Sequence, residues 1–158
     1  MEVLHAVLTG VAPAGQRGGV RHRLSFSALV QRPAMAHAND EVLTSAMGLT
    51  HHYGDKRMPV PGVAGVIATA LTLVAAVFTG GALAIASGAV ALVSLVIWLL
   101  IYNRISGPVN KKLGAAALAG ITLPDARELQ KTWDSVINVR VVLQGLTLAA
   151  LFTGVAFG

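Results

Sequence analysis

The chain has 158 residues, of which 54% are hydrophobic and 12% charged, with 17 glycines and no cysteine. A soluble domain carries roughly 25% charged residues, so this composition cannot cover a water-facing surface. A mean hydropathy of +0.68 excludes disorder, which requires low hydrophobicity and high charge. Without cysteine there is no disulfide, thiolate nucleophile, iron–sulfur cluster or Cys-type zinc site, and an all-α, integral membrane helical bundle remains.

At the N-terminus Val3–Gln16 is apolar but too short to cross a bilayer. It contains Pro13 and runs into Arg17, Arg21, His22 and Arg23 before Leu24–Val30 turns apolar again. Residues 3–30 therefore read as one membrane helix disrupted by a basic patch. A secretory signal peptide places its basic residues ahead of the apolar stretch, whereas here they follow it.

In residues 31–59, Asn39 can cap a short interfacial helix with Val42, Leu43, Ala46, Met47 and Leu49 at mixed i+3 and i+4 spacing, stopped by Gly54. Pro33, Pro59 and Pro61 set the chain direction at the membrane boundary. From Met58 to Asn103 there is no Asp, Glu, Lys, Arg or His over 46 residues. A crossing helix needs about 20 residues, so two spans are predicted, 60–79 and 82–103, joined at Gly80-Gly81.

Residues 104–136 form the second charged segment, with Pro108 expected to end the helix before it. Within it, Thr122-Leu-Pro-Asp125 resembles a capping box, so the final helix is expected to begin near Leu123, with its span at 137–157. Along it Leu129, Trp133, Ile137, Arg140 and Gln144 share one face. Small residues four apart, Gly65 with Thr69 and Ala84 with Gly88, favour close helix packing. The whole chain reads as one domain of about four helices, three of them clear spans.

Arg32, Lys56 and Arg57 precede the second span and Arg104, Lys111, Lys112, Arg127 and Lys131 follow the third, while the Gly80-Gly81 turn has none. The positive-inside rule places both charged segments in the cytoplasm of a multi-pass protein of the cell membrane. The formal net charge of +5 then faces anionic lipid, and nucleic acid is not expected as a partner.

Three short motifs carry a family resemblance: Ser27-Ala-Leu-Val-Gln-Arg-Pro33, the run Asn103-Arg-Ile-Ser-Gly-Pro108-Val-Asn110-Lys-Lys-Leu113, and Trp133 with Asn138-Val-Arg140. Their order and spacing resemble the anthrone-oxygenase-like family of small membrane proteins, formerly a domain of unknown function, from Ser25 to the C-terminus. The match implies a Pro closing the first helix (Pro33), a Pro-x-Asn after the third (Pro108, Asn110) and a Trp then Arg entering the fourth (Trp133, Arg140). The basic Gln16–Arg23 stretch departs from it, and the return of family-like sequence at Ser25 points to an altered reading frame or start site upstream.

The resemblance implies oxidation of a lipophilic aromatic, anthrone-type substrate to a quinone by oxygen, without metal or flavin, because the substrate carbanion itself reduces oxygen. Arg140 then suits the cation that steadies a phenolate, and His51 or His52 the base. Asn103, Asn110, Trp133 and Gln144 are the candidate substrate-binding residues. Each has a plainer role: Arg140 snorkelling, the asparagines holding irregular backbone, Trp133 anchoring at the interface, and the histidines in a solvated loop. His51, His52 and Asp55 with distant His37 are too few and too divergent for a metal site. No dinucleotide fingerprint, P-loop or nucleophile elbow is present, so no cofactor is expected. The alternative is a non-catalytic module that binds a lipophilic ligand or a membrane partner; membrane lipid is the expected surrounding, and a homo-oligomer is left open.

Overall fold

The structure is a computed structural model that describes residues 27–157. The expected first span thus lies outside the described residues except for its last positions, as does the reading-frame question. The described part is helical throughout, with no strand. A π-helical turn, Ser27–Gln31, leads into α1 (Arg32–His37). Helix α2 (Asp40–Arg57) and α3 (Pro59–Thr79) follow. Then come α4 (Ala82–Ile101), a second π-helical turn (Tyr102–Ser106) and α5 (Gly107–Ala119). Helices α6 (Ala126–Ser135) and α7 (Ile137–Phe157) complete the chain.

Three stretches are long and apolar enough to cross a membrane: Pro59–Thr79, Ala82–Ala119 and Ala126–Phe157. This makes the chain a multi-pass membrane helical bundle. The spans present Leu71, Phe78, Val142 and Phe152 outward, as helices do when lipid replaces water around them. Gly80, at φ 77°, turns α3 into α4 where a side chain would be strained. Helix α4 packs against α3 on one side and α7 on the other.

Several expected boundaries move. Asn39 does cap α2, its Oδ1 accepting from the Val42 amide at 2.8 Å, but Gly54 does not stop the helix, which runs to Arg57. Pro33 lies in the first turn of α1 instead of closing a helix, and Pro59 likewise opens α3; a first-turn proline lacks only an amide that has no helical partner anyway. Pro108 does not end the third span either. The chain widens into the π turn, where the Gly107 amide reaches back five residues to the Tyr102 carbonyl, and α5 continues with Pro108 in its first turn. Thr122 is not a cap: α6 starts at Ala126 behind Asp125, whose side chain makes no capping bond and instead accepts from Lys112. That lysine's hydrogen bond holds the exposed Asp125 carboxyl below its ordinary value. The last helix is broken at Val136 into α6 and α7.

The main buried apolar cluster lies at the charged end of the bundle. Leu43 and Met47 of α2, Val109 and Leu113 of α5, Ala126 and Trp133 of α6 and Ile137 of α7 form it. Helices α2 and α5 cross where both carry glycine. A Cβ on Gly48 would sit 2.3 Å from the Leu113 carbonyl oxygen, whereas one on Gly114 would find its nearest neighbour at 3.4 Å. Of the predicted small-residue pairs, Gly88 meets Leu73 of α3 closely, while Gly65 faces open space. Gly48→Ala is therefore expected to lower stability by about 1–3 kcal/mol through overpacking, and Gly114→Ala to stay within about 1 kcal/mol of the parent. Thermal unfolding of both variants in detergent, followed by circular dichroism, checks the contrast.

Candidate functional site

At the junction of the spans with the charged end, Arg140 enters the bundle from the first turn of α7. A guanidinium there needs partners because the surrounding helices offer little water. Its Nη1 donates to Ser106 Oγ at 3.0 Å, and its Cζ lies 4.7 Å from the Trp98 ring, 5.6 Å from Trp133 and 5.8 Å from Tyr102. These are cation–π distances. Trp98 and Tyr102, one helical turn apart at the end of α4, are parallel with centroids 5.7 Å apart.

The π turn places Ser106. Widening the helix by one residue per turn shifts everything after Tyr102 around the axis, and fully buried Ser106 then faces Arg140. Such turns recur at functional sites because they aim side chains that a regular helix would point elsewhere.

Helix α2 supplies the other wall. His51 is buried against Trp133, with ring centroids 5.2 Å apart. One turn on, Asp55 accepts from Asn110 Nδ2 at 3.0 and 3.2 Å and also interacts with the Tyr102 phenol. Burial pushes the His51 pKa down to about 4, against the raising effect of Asp55 and with a further lowering by Arg140. The imidazole is therefore neutral at pH 7.

Five side chains of this cluster have a buried polar atom without a hydrogen-bond partner among the described residues: Arg140 Nε, Trp98 Nε1, Trp133 Nε1, His51 Nε2 and Asn110 Oδ1. Leaving such a group unpaired costs about 1–3 kcal/mol, and native structures hold few. Three are obligate donors, one is an acceptor and the imidazole nitrogen can be either.

Of the residues singled out in the sequence, the structure brings together His51, Arg140, Asn110 and Trp133. Gln144 is half-buried one turn deeper on α7, and Asn103 is exposed. His52 packs toward Gly114 of α5 and meets Tyr53 edge-on. Trp98, Tyr102, Ser106 and Asp55 join the site as well. The four-residue spacing of Trp98 and Tyr102 and of His51 and Asp55 was a usable signal; Ser106 had none. No group of three metal-ligating side chains occurs among the described residues.

A scan against protein-family models matches none, and searches of curated proteins and of solved structures return no match.

The neutral state of His51 has a consequence for stability. Its folded pKa is depressed, so folding is unaffected by this group above the unfolded value of 6.5. As pH falls below that, the unfolded chain takes up the proton first and the fold loses stability until about pH 4. Between pH 7.5 and 5 the loss from this residue is about 2 kcal/mol. Unfolding midpoints of the parent and His51→Gln at both pH values check it: the variant's pH dependence should be shallower by that amount.

Proposed function

We propose that this membrane protein binds a lipophilic aromatic molecule carrying phenolic or carbonyl oxygens in the Arg140 cluster and oxidises it to a quinone with dioxygen, in the manner of the anthrone-oxygenase-like proteins it resembles. The observation that carries this reading is the set of five orphaned polar atoms in this one cluster, three of them nitrogen donors beside aromatic faces. A planar phenol would stack against Trp133 or Trp98 while its oxygen accepts from Arg140 or an indole N–H.

The chemistry needs a base, a cation and shelter from water. His51 is free base at neutral pH and lies beside the aromatic wall. A phenolate settling against Arg140 offsets one of the influences that hold the imidazole pKa down, and so makes His51 a stronger base when substrate is present. The base takes the carbon-bound proton and the resulting carbanion passes its electrons to dioxygen. One oxygen atom stays as the new carbonyl, and the other leaves as water with the two hydrogens lost from carbon. The substrate's own carbanion serves as the reductant, so this scheme calls on no cofactor. A non-catalytic binder of the same ligand is the second reading, favoured by the weak basicity of a histidine with a pKa of about 4.

Membranes containing the protein should consume oxygen when given an anthrone. Arg140→Met and His51→Gln should slow this by on the order of 10²-fold, and His52→Gln by less than about twofold, since that ring stands apart from the cluster. Tight binding without oxygen uptake would establish the binder; equal rates in all four proteins would remove Arg140 and His51 from any catalytic role.

The orientation belongs to the same proposal: both charged ends face the cytoplasm of the cell membrane, as the Lys and Arg distribution supports. The chain lacks cysteine, so single cysteines at Lys56 and Lys111 should resist a membrane-impermeant thiol reagent in intact cells, and one at Gly81 should react.

A further inference from the structure

A concavity that shares no residue with the Arg140 cluster lies at the charged end. It is a groove of about 590 Å³ between α1, α2 and α6, within the range of small-ligand sites. Met35 and Leu43 give it an apolar floor, while Arg32, Lys131 and Arg127 stand along it with Asp134 and Gln130.

The charged groups are not equally committed. Arg127 is held by Asp40 at 2.7 Å and by the Ala38 carbonyl, so it braces α6 against the start of α2. Arg32 reaches Asp134 only at 3.6 Å, beyond hydrogen-bond distance, and Lys131 makes no ion pair among the described residues. These two cations retain the capacity to bind an anion. Gln130 supplies the opposite need. It is 6% exposed; its Nε2 donates to Asp134 at 3.0 Å, and its Oε1 has no partner. Beside a carboxylate, that acceptor calls for a donor.

We propose that this groove binds the head group of a phosphatidylethanolamine-type lipid. Its phosphate lies against Lys131 and Arg32, its ammonium faces Asp134 and Gln130 Oε1, and its glycerol end rests on Met35 and Leu43. Each part of the groove then has a complement in one molecule that the surrounding bilayer can supply. Basic pockets beside membrane helices hold lipid phosphates through their cations, and the carboxylate here adds a partner for an ammonium. A choline lipid offers the same phosphate but no N–H donor, and inorganic phosphate offers neither donor nor hydrocarbon.

The test uses the full chain equilibrated with vesicles of equal phosphatidylethanolamine and phosphatidylcholine content, extracted into mild detergent, with the retained lipid measured by mass spectrometry. The ethanolamine lipid should be enriched about fivefold over the choline lipid, the preference one net hydrogen bond confers. Asp134→Ala should abolish that enrichment, whereas Lys131→Gln and Arg32→Gln should each lower the total phospholipid retained, all with an unchanged circular dichroism spectrum. Lys131 and Arg32 are exposed, so the fold is expected to survive their replacement. Equal retention of the two lipids by the parent, or enrichment unaffected by Asp134→Ala, overturns the proposal. So does a zero-length cross-link from Lys131 to residues 1–26 in the lipid-saturated protein, which would give the groove to the chain's own N-terminal segment.

Discussion

A guanidinium withdrawn from water at the head of a membrane helix has to be surrounded by something, and the charged end of this bundle is arranged around that requirement. Among the described residues Arg140 has one hydrogen bond, to Ser106, and three aromatic faces. Those contacts tie α7 to the end of α4, to the π turn and to α6 at a single point. Rings suit the task because they lower the energy of a desolvated cation without adding polar atoms that would need partners of their own. The indole N–H groups are the exception, and both are left unpaired. A purely structural arginine site could have used phenylalanine; two tryptophans with orphaned donors leave hydrogen-bonding capacity beside the charge.

The π turn makes this possible. A regular helix through Pro108 would lose the hydrogen bond from that position and tend to kink. Here the loss is absorbed by widening the helix over Tyr102–Ser106, and the Gly107 amide bonds five residues back. The long helix therefore continues as α5 to carry Asn110, Leu113 and Gly114 against α2. Without that continuation α2 would lose most of the surface it packs on, and Asp55 would lose its hydrogen bond from Asn110. The close approach of Gly48 to the Leu113 backbone fixes the separation of the two helices, and with it the distance from Asp55 to Asn110.

The apolar spans and the Gly80 turn were legible in the sequence because charge is excluded from lipid over a length set by the bilayer. The α6–α7 face was legible as well: Trp133, Ile137 and Arg140 turn inward, although the helix breaks at Val136 between the first two. What proline does was misjudged at Pro33 and Pro108, since a proline reads as a stop in sequence but is tolerated wherever the preceding turn can give up a hydrogen bond. The Thr122 cap failed for a tertiary reason: Lys112, from α5, engages Asp125, and the helix starts at Ala126, three residues after the expected Leu123. Ser106 was invisible because its role depends on a change of helical pitch. Asn103, three positions earlier in the same turn, is exposed, although its composition signal matched that of Asn110.

The placement of the cluster bears on how an apolar ligand would arrive. Arg140, Tyr102 and Trp98 are half-buried and lie where the apolar surfaces of α4 and α7 meet the charged end, with exposed Leu100 and Val139 next to them. A molecule dissolved in the bilayer therefore meets apolar side chains first and polar ones last. Desolvation of its rings is then already complete before any hydrogen bond forms, so the interactions that remain to be made are the directional ones. The same ordering disfavours water-soluble anions, which would have to shed their hydration at an apolar boundary before reaching Arg140. The selectivity proposed for the site, toward flat, oxygen-bearing, lipid-soluble molecules, would thus follow from where the arginine enters the bundle as much as from what surrounds it.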